Sequence, residues 1–159
     1  MKSGYVWIVL SGLLLVLGIA MFVRSGLIPV NADASPSFLE ARVFPLVLHV
    51  SVARGAKQIR SRPLVDDDAT AGRDIYASLC AECHGRLDGK PGLLGLSMYP
   101  PAPQFSAHPS SYTSAELFWL IKHGIRETGM PAWGNRLSDQ DIWNVAAFNK
   151  SLGSVHERD

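Results

Sequence analysis

The chain is short of thiols, of net charge and of strand-like patterning. Two cysteines among 159 residues cannot build a four-thiolate zinc site. No βαβ pattern surrounds them, as a thioredoxin-like dithiol would require. Net charge is only +1, and no basic stripe with interleaved aromatics runs through the chain, which excludes a nucleic-acid binder. The charge is uneven, however. Residues 1–63 carry seven basic and two acidic side chains, or +5, and residues 64–159 carry eight basic and twelve acidic, or −4. Hydrophobic residues reach 47%, high for a water-soluble domain, and the excess sits at the N-terminus. The length suits one domain with something left over.

The two cysteines form part of Cys80-Ala81-Glu82-Cys83-His84. Two thiols three residues apart with an imidazole next to them is the attachment signature of c-type haem. On a helical turn positions i and i+3 share a side, so both thiols can reach one porphyrin edge and His84 can ligate iron. A single pentad implies one covalently attached haem c. A plain disulfide in an oxidising compartment is the alternative. A Cys2His2 zinc site with His84 and His108 or His123 is a further one, although its spacing matches no finger.

Tyr5 to Val23 contains no charge and nothing more polar than Ser11. Nineteen helical residues span roughly 28 Å, the thickness of a bilayer core. Lys2 precedes the run, Arg24 follows, and Tyr5 and Trp7 suit the interface. A cleaved signal peptide is the competing reading, with Ala32-Asp33-Ala34 as a cleavage-like site. The run is longer than a signal's apolar core and ends well before that site, so residues 1–24 are expected to be a transmembrane anchor.

Residues 25–65 are expected to be a linker holding one amphipathic helix. Ser37 and Glu40 form a capping box. Leu39, Val43, Leu46, Val50 and Ala53 recur at helical spacing, and Gly55 is a plausible stop. Pro45 is expected to kink this helix near Ala41 or split it. Its apolar face would lie on the membrane or a neighbouring subunit, with packing on the head as the alternative. His49 on that face is expected to be a packed histidine. Arg54 to Arg62 reads as a basic, solvated connector.

From Asp66, with Asp66, Asp67, Asp68 and Thr70 as cap candidates, a helix over 71–79 leads into the pentad. Gly72, Tyr76, Cys80, Cys83, His84 and Gly85 fall where the class I monohaem cytochromes c place the same residue types, and residues 68–152 resemble that family. The resemblance implies an all-α fold in which the first helix crosses the last at nearly a right angle, through a glycine and an aromatic from each helix. Val145 and Phe148 would face Gly72 and Tyr76. It also implies that a proline carbonyl accepts the other N–H of His84, for which Pro91 is the candidate, within a long loop rich in glycine and proline. Tyr99 and Trp133 are expected in the haem pocket.

Thr113 and Glu116 form a second capping box, opening a helix that ends at Gly124. Its buried face is Leu117, Leu120 and Ile121, with Phe118 and Trp119 adding bulk. Gly129-Met130-Pro131-Ala132-Trp133 resembles the family's methionine segment, and Met130 is expected to be the sixth iron ligand. His123 is its chief rival, while Met21 and Met98 read as packing residues. Ser138 to Asp141 cap a last helix to about Leu152, with Gly153 just past its end and Trp143 a core or haem-contacting aromatic. The haem domain is expected over 66–153, and 154–159 as a frayed tail. The LSDxDIWNVAAF and GIRxTGMPAW stretches look closest to the small c-type domains of bacterial respiratory oxidoreductase subunits.

The function implied is one-electron transfer by a shuttle or by a fixed cytochrome subunit of a membrane respiratory complex, with no catalytic residues. The alternative is a catalytic or gas-binding haem protein with an open distal position. The expected location is the bacterial inner membrane, N-terminus cytoplasmic and haem domain periplasmic. Partners would be an integral membrane oxidase or dehydrogenase met through the acidic haem domain and residues 37–60, in a salt-sensitive encounter.

Overall fold

A computed structural model describes residues 2–63, 66–105, 108 and 110–156. All regular structure among them is helical: α1 (Lys2–Arg24), α2 (Phe38–Ala56), α3 (Asp66–Leu79), α4 (Ala81–His84), α5 (Leu93–Leu96), α6 (Ser114–His123) and α7 (Asp139–His156). The chain divides into two units after Ala34. In the first, an 18-residue stretch within Gly4–Arg24 has a mean hydropathy of 2.7, and none of it is buried. This helix is long and apolar enough to cross a membrane, a property that signal sequences share.

The second unit is built on the crossing of α3 and α7. Gly72 makes that crossing possible: a β-carbon there would lie 1.9 Å from the Asn144 carbonyl oxygen and 2.9 Å from the Val145 nitrogen. Four residues on, Tyr76 meets Phe148 with ring centroids 5.1 Å apart. Ile142 and Ala146 are fully buried on α7, and Leu117, Phe118 and Ile121 of α6 complete the core. Trp143 belongs to that core, stacked on Phe118 at 4.5 Å. The α6 start is a reciprocal capping box between Thr113 and Glu116. At the start of α7, Ser138 and Asp141 exchange the equivalent pair of bonds.

Several local expectations need correction. Pro45 does not split α2, which is one helix opened by the Ser37–Glu40 box. Gly55 does not stop it either. A β-carbon at Gly55 would lie 2.3 Å from the Trp119 indole, so this glycine admits a ring rather than ending a helix. The buried side of α2 is Val52 and Ala56, with Phe44 and Leu48 half-buried, and it packs on α6. The stripe Leu39, Val43, Leu46 and Val50 is the one left exposed. The helix is apolar on two faces, and periodicity alone picks out only one.

Helix α3 begins at Asp66, so Asp68 and Thr70 lie inside it rather than capping it. The side chains of Asp66 and Asp67 fall outside the described residues, as do Leu64 and Val65. Asp68 instead receives Arg62 at 3.0 Å and the Gln140 amide at 3.1 Å. The Arg62 guanidinium sits 5.3 Å from the Trp143 ring, so the connector is fastened to the α3–α7 crossing at its last arginine and is not simply solvated. Helix α7 runs through Gly153 to His156, and 157–159 of the expected tail fall outside the described residues.

A methyl group at the crossing has backbone, not a side chain, to displace. Gly72→Ala is therefore expected to destabilise the folded chain by about 3 kcal/mol, measured by denaturant unfolding. Unchanged stability would show that the two helices can part without cost.

Candidate cofactor site

Helix α3 delivers the pentad. The Cys80 N–H bonds to the Tyr76 carbonyl at 2.9 Å and the His84 N–H to the Cys80 carbonyl at 2.8 Å, so the thiols and the imidazole sit on one continuous turn. Gly85 leaves that turn at φ 98°, in the left-handed region that favours glycine. The buried Tyr76 hydroxyl, held by Phe148, donates toward the carbonyls of His84 and Gly85, at 3.0 and 2.9 Å. Burial first, and then Cys80, push this phenol well above its ordinary range, so it remains a donor.

The loop after the pentad is pressed against it. A β-carbon at Gly95 would lie 2.0 Å from the Cys83 carbonyl oxygen, and one at Gly92 would lie 2.6 Å from the Cys83 carbonyl carbon. Gln104 closes the contact. Its amide donates to the Cys83 and Ala102 carbonyls, both at 2.8 Å, while its oxygen accepts the Gly92 N–H at 2.7 Å. The Phe105 N–H bonds to the His84 carbonyl at 2.8 Å, and its ring stacks on the imidazole at 4.7 Å.

The carbonyl that meets Nδ1 of His84 belongs to Pro103, at 3.0 Å. Pro91 is exposed, just ahead of α5, and does not fill the role expected of it. Several prolines follow the pentad, and spacing alone does not choose among them. The signal was Phe105, an aromatic two residues beyond the right proline. With Nδ1 donating to Pro103, Nε2 keeps its lone pair. Burial lowers the imidazole pKa below its ordinary 6.5, against a weaker opposing pull from the Pro103 carbonyl, so the ring is neutral at neutral pH and able to ligate.

Cys80 and Cys83 are free thiols, both half-buried. Burial first, and the neighbouring Cys83 second, push Cys80 up to about 11. Among the described residues no three His, Cys, Asp or Glu side chains are grouped as a bound metal ion would need.

The methionine loop is braced on its own backbone. Ile125 N–H bonds to the Met130 carbonyl at 3.2 Å, and Thr128 Oγ1 accepts the Met130 N–H at 3.1 Å while donating to the Ile125 carbonyl at 2.8 Å. Trp133 and Gly134 N–H groups return to the Ile121 and Lys122 carbonyls at 3.1 and 3.0 Å. Gly124, at φ 65°, lets Pro131 and Ala132 pass where a β-carbon would be. Met98 packs its sulfur where a Gly129 β-carbon would stand, a packing role as expected for that methionine.

Cys80, Tyr112, Met130, Trp133 and Leu137 are all half-buried against the same core cluster. This half-buried apolar set, which includes Cys80 of the pentad, fits a flat apolar cofactor attached at the pentad. Tyr112 was missed by the sequence reading. Tyr99 lies beside Glu40 of α2; burial first, then that carboxylate, raise its phenol. The His123 ring meets Trp119 in a tilted arrangement with centroids 5.0 Å apart.

Charge around the pentad cancels locally. Arg86 pairs with Glu82 at 3.5 Å and Asp88 at 3.6 Å, and Lys90 with Asp88 at 3.4 Å. Leu79, Leu87, Leu93, Leu94 and Leu96 are exposed on the same stretch.

Comparison with known proteins agrees with this geometry. The family described as "Cytochrome C oxidase, cbb3-type, subunit III" matches residues 67–148. The chain is 34% identical over 87 residues to the cbb3-type cytochrome c oxidase subunit CcoP of Azospirillum brasilense, covering 54% of this chain and 28% of that one. It is 32% identical over 90 residues to cytochrome c6 of Picosynechococcus, covering 54% of this chain and 74% of the relative. A chain of the Kuenenia stuttgartiensis reducing HAO-like protein complex superposes with a TM-score of 0.50 at 20% identity, over 59% of this chain and 47% of that one. The chain thus spans little more than a quarter of the CcoP relative.

Gln104 makes three hydrogen bonds and buries no charge, so its loss tests the clamp alone. Gln104→Ala is expected to cost about 2 kcal/mol, read as a shift in denaturant midpoint. A loss under about 0.5 kcal/mol would mean that the glycine contacts suffice to hold the loop.

Proposed function

The chain belongs to the cytochrome c family, in the group of the cbb3-type oxidase subunit III, and from that premise we propose that it is a membrane-anchored one-electron carrier with a single haem c. The family implies covalent haem c. Cys80 and Cys83 would hold it through thioether bonds, His84 Nε2 and the Met130 sulfur would ligate its iron, and Tyr112 and Trp133 would line its edge. Bound there, haem c supplies reversible one-electron chemistry, and the protein supplies burial, orientation and tuning of the potential.

The observation that carries this reading is the pairing of His84 with Pro103. That bond fixes the ring and its tautomer and makes Nε2 the better donor. On the other side, the Thr128 and Ile125 bonds hold the Met130 backbone without engaging its sulfur. A thioether opposite an imidazole raises the potential relative to two imidazoles. With both positions committed to protein, neither a peroxide nor a gas finds an open site, which argues against the catalytic reading.

Residues 1–24 serve as the anchor, N-terminus inside, with the head in the periplasm. The likeness to an oxidase subunit supports a respiratory complex as partner. The balanced charges beside the pentad and its exposed leucines favour an apolar contact there over the salt-steered one expected from net charge.

A pyridine haemochrome assay of the purified chain is expected to report one thioether-linked haem per polypeptide. Met130→His should leave the iron six-coordinate with a lower reduction potential, and Met130→Ala should open it to carbon monoxide. His123→Ala should change neither the spectrum nor the potential. A colourless chain, or a Met130→Ala variant with an unaltered spectrum, would overturn the assignment.

A further inference from the structure

Helix α2 carries an apolar stripe that the head does not cover. Leu39, Val43, Leu46, Val47 and Val50 are between 44% and 70% exposed. The stripe lies opposite the face that buries Val52 and Ala56, and runs for roughly 18 Å along the helix. Helical spacing continues it into Arg54 and Lys57, and Arg42 flanks its first turn with its guanidinium 5.1 Å from the Phe38 ring. The one acidic residue of the helix, Glu40, is occupied by the capping box.

We propose that this stripe is seated in the surface of an anionic bilayer, with α2 parallel to the membrane plane. The inference rests on the anchored reading of α1 for proximity. Only 13 residues, 25–37, join the two helices, a reach of at most roughly 45 Å. The chemistry chooses lipid over a protein partner. An interfacial helix sinks its apolar side chains to the headgroup boundary and extends Arg and Lys stems to the phosphates. Protein interfaces are depleted of lysine, whereas the C-terminal end of this stripe carries exposed Arg54 and, just past the last turn of α2, exposed Lys57. Because the opposite face of α2 is fixed to α6 through Gly55 and Trp119, seating the helix would fix the orientation of the whole head. Its first turn touches the loop at Tyr99 through Glu40, and His49 stacks on Tyr112 at 6.3 Å. The apolar group containing Tyr112 would therefore keep a set attitude to the membrane.

The full-length haem-loaded chain can be placed in nanodiscs of phosphatidylcholine with or without phosphatidylglycerol, doped with a lipid bearing a diazirine near its headgroup. Photolabelling mapped by mass spectrometry is expected to mark peptide 38–50 as well as the apolar run 4–24. Labelling of 38–50 should rise about threefold or more with phosphatidylglycerol. The double variant Leu46→Glu, Val47→Glu should cut it by at least about fivefold, leaving the haem absorption and the label on 4–24 unchanged. Label confined to 4–24 would overturn the proposal. So would a photoreactive residue at position 47 that captures a membrane protein in native membranes while the helix stays unlabelled by lipid. Failure of the anchored reading is seen separately, as an intact mass lacking the N-terminal run. The same discs added to that shorter chain then still decide whether 38–50 meets lipid.

Discussion

The contact between Gly72 and the Asn144 carbonyl governs more than a helix crossing. Two backbones approach there closer than any side chain would allow, and that approach brings Tyr76 onto Phe148. Tyr76 is in turn the residue whose hydroxyl spans the His84 and Gly85 carbonyls. A missing β-carbon on α3 is thus connected, through one aromatic pair and one hydroxyl, to the backbone that orients the imidazole.

Past the pentad the chain has little repetitive structure of its own until α6, and its order comes from polar contacts to the pentad's backbone. Gln104 satisfies three backbone groups at once, and Pro103 and Phe105 on either side of it hold the edge and the face of the His84 ring. Three consecutive residues therefore do the work of a secondary-structure element. This is why so glycine- and proline-rich a stretch can be held with only the single turn of α5: the cost of fixing it is offset by contacts to a turn that is already fixed.

Much of this was legible in the sequence, and for identifiable reasons. The two capping boxes, the glycine at the crossing and the CxxCH pentad are short-range signals, each contained within a few residues, and they mark real helices even where an end lies elsewhere than expected. What escaped the sequence involves partners far apart in the chain. Pro103 lies 19 residues from His84, and Gly55 meets Trp119 across 64 positions; neither contact leaves a periodic trace. Arg62 looked like a linker charge because Asp68 looked like a cap, and each was misread for want of the other. Tyr99 meets Glu40 of α2, a contact across 59 positions that no local pattern announces, and Tyr112 has no motif around it to draw notice.

The two faces of α2 show how the head and its attachment are reconciled. A helix with one apolar face must choose between the domain and an external surface. This one has Phe44, Leu48, Val52 and Ala56 for the domain and Leu39, Val43, Leu46 and Val50 for the outside. Gly55 allows the first face to lie close, because the Trp119 indole enters where a side chain would have held the helices apart. Pro45 is exposed within the same helix, and the helix continues across it. Rigid fixation of one face makes the other a platform whose orientation the whole domain inherits. An electron carrier has use for such a platform, since transfer depends on how the site faces its partner as much as on how near it comes.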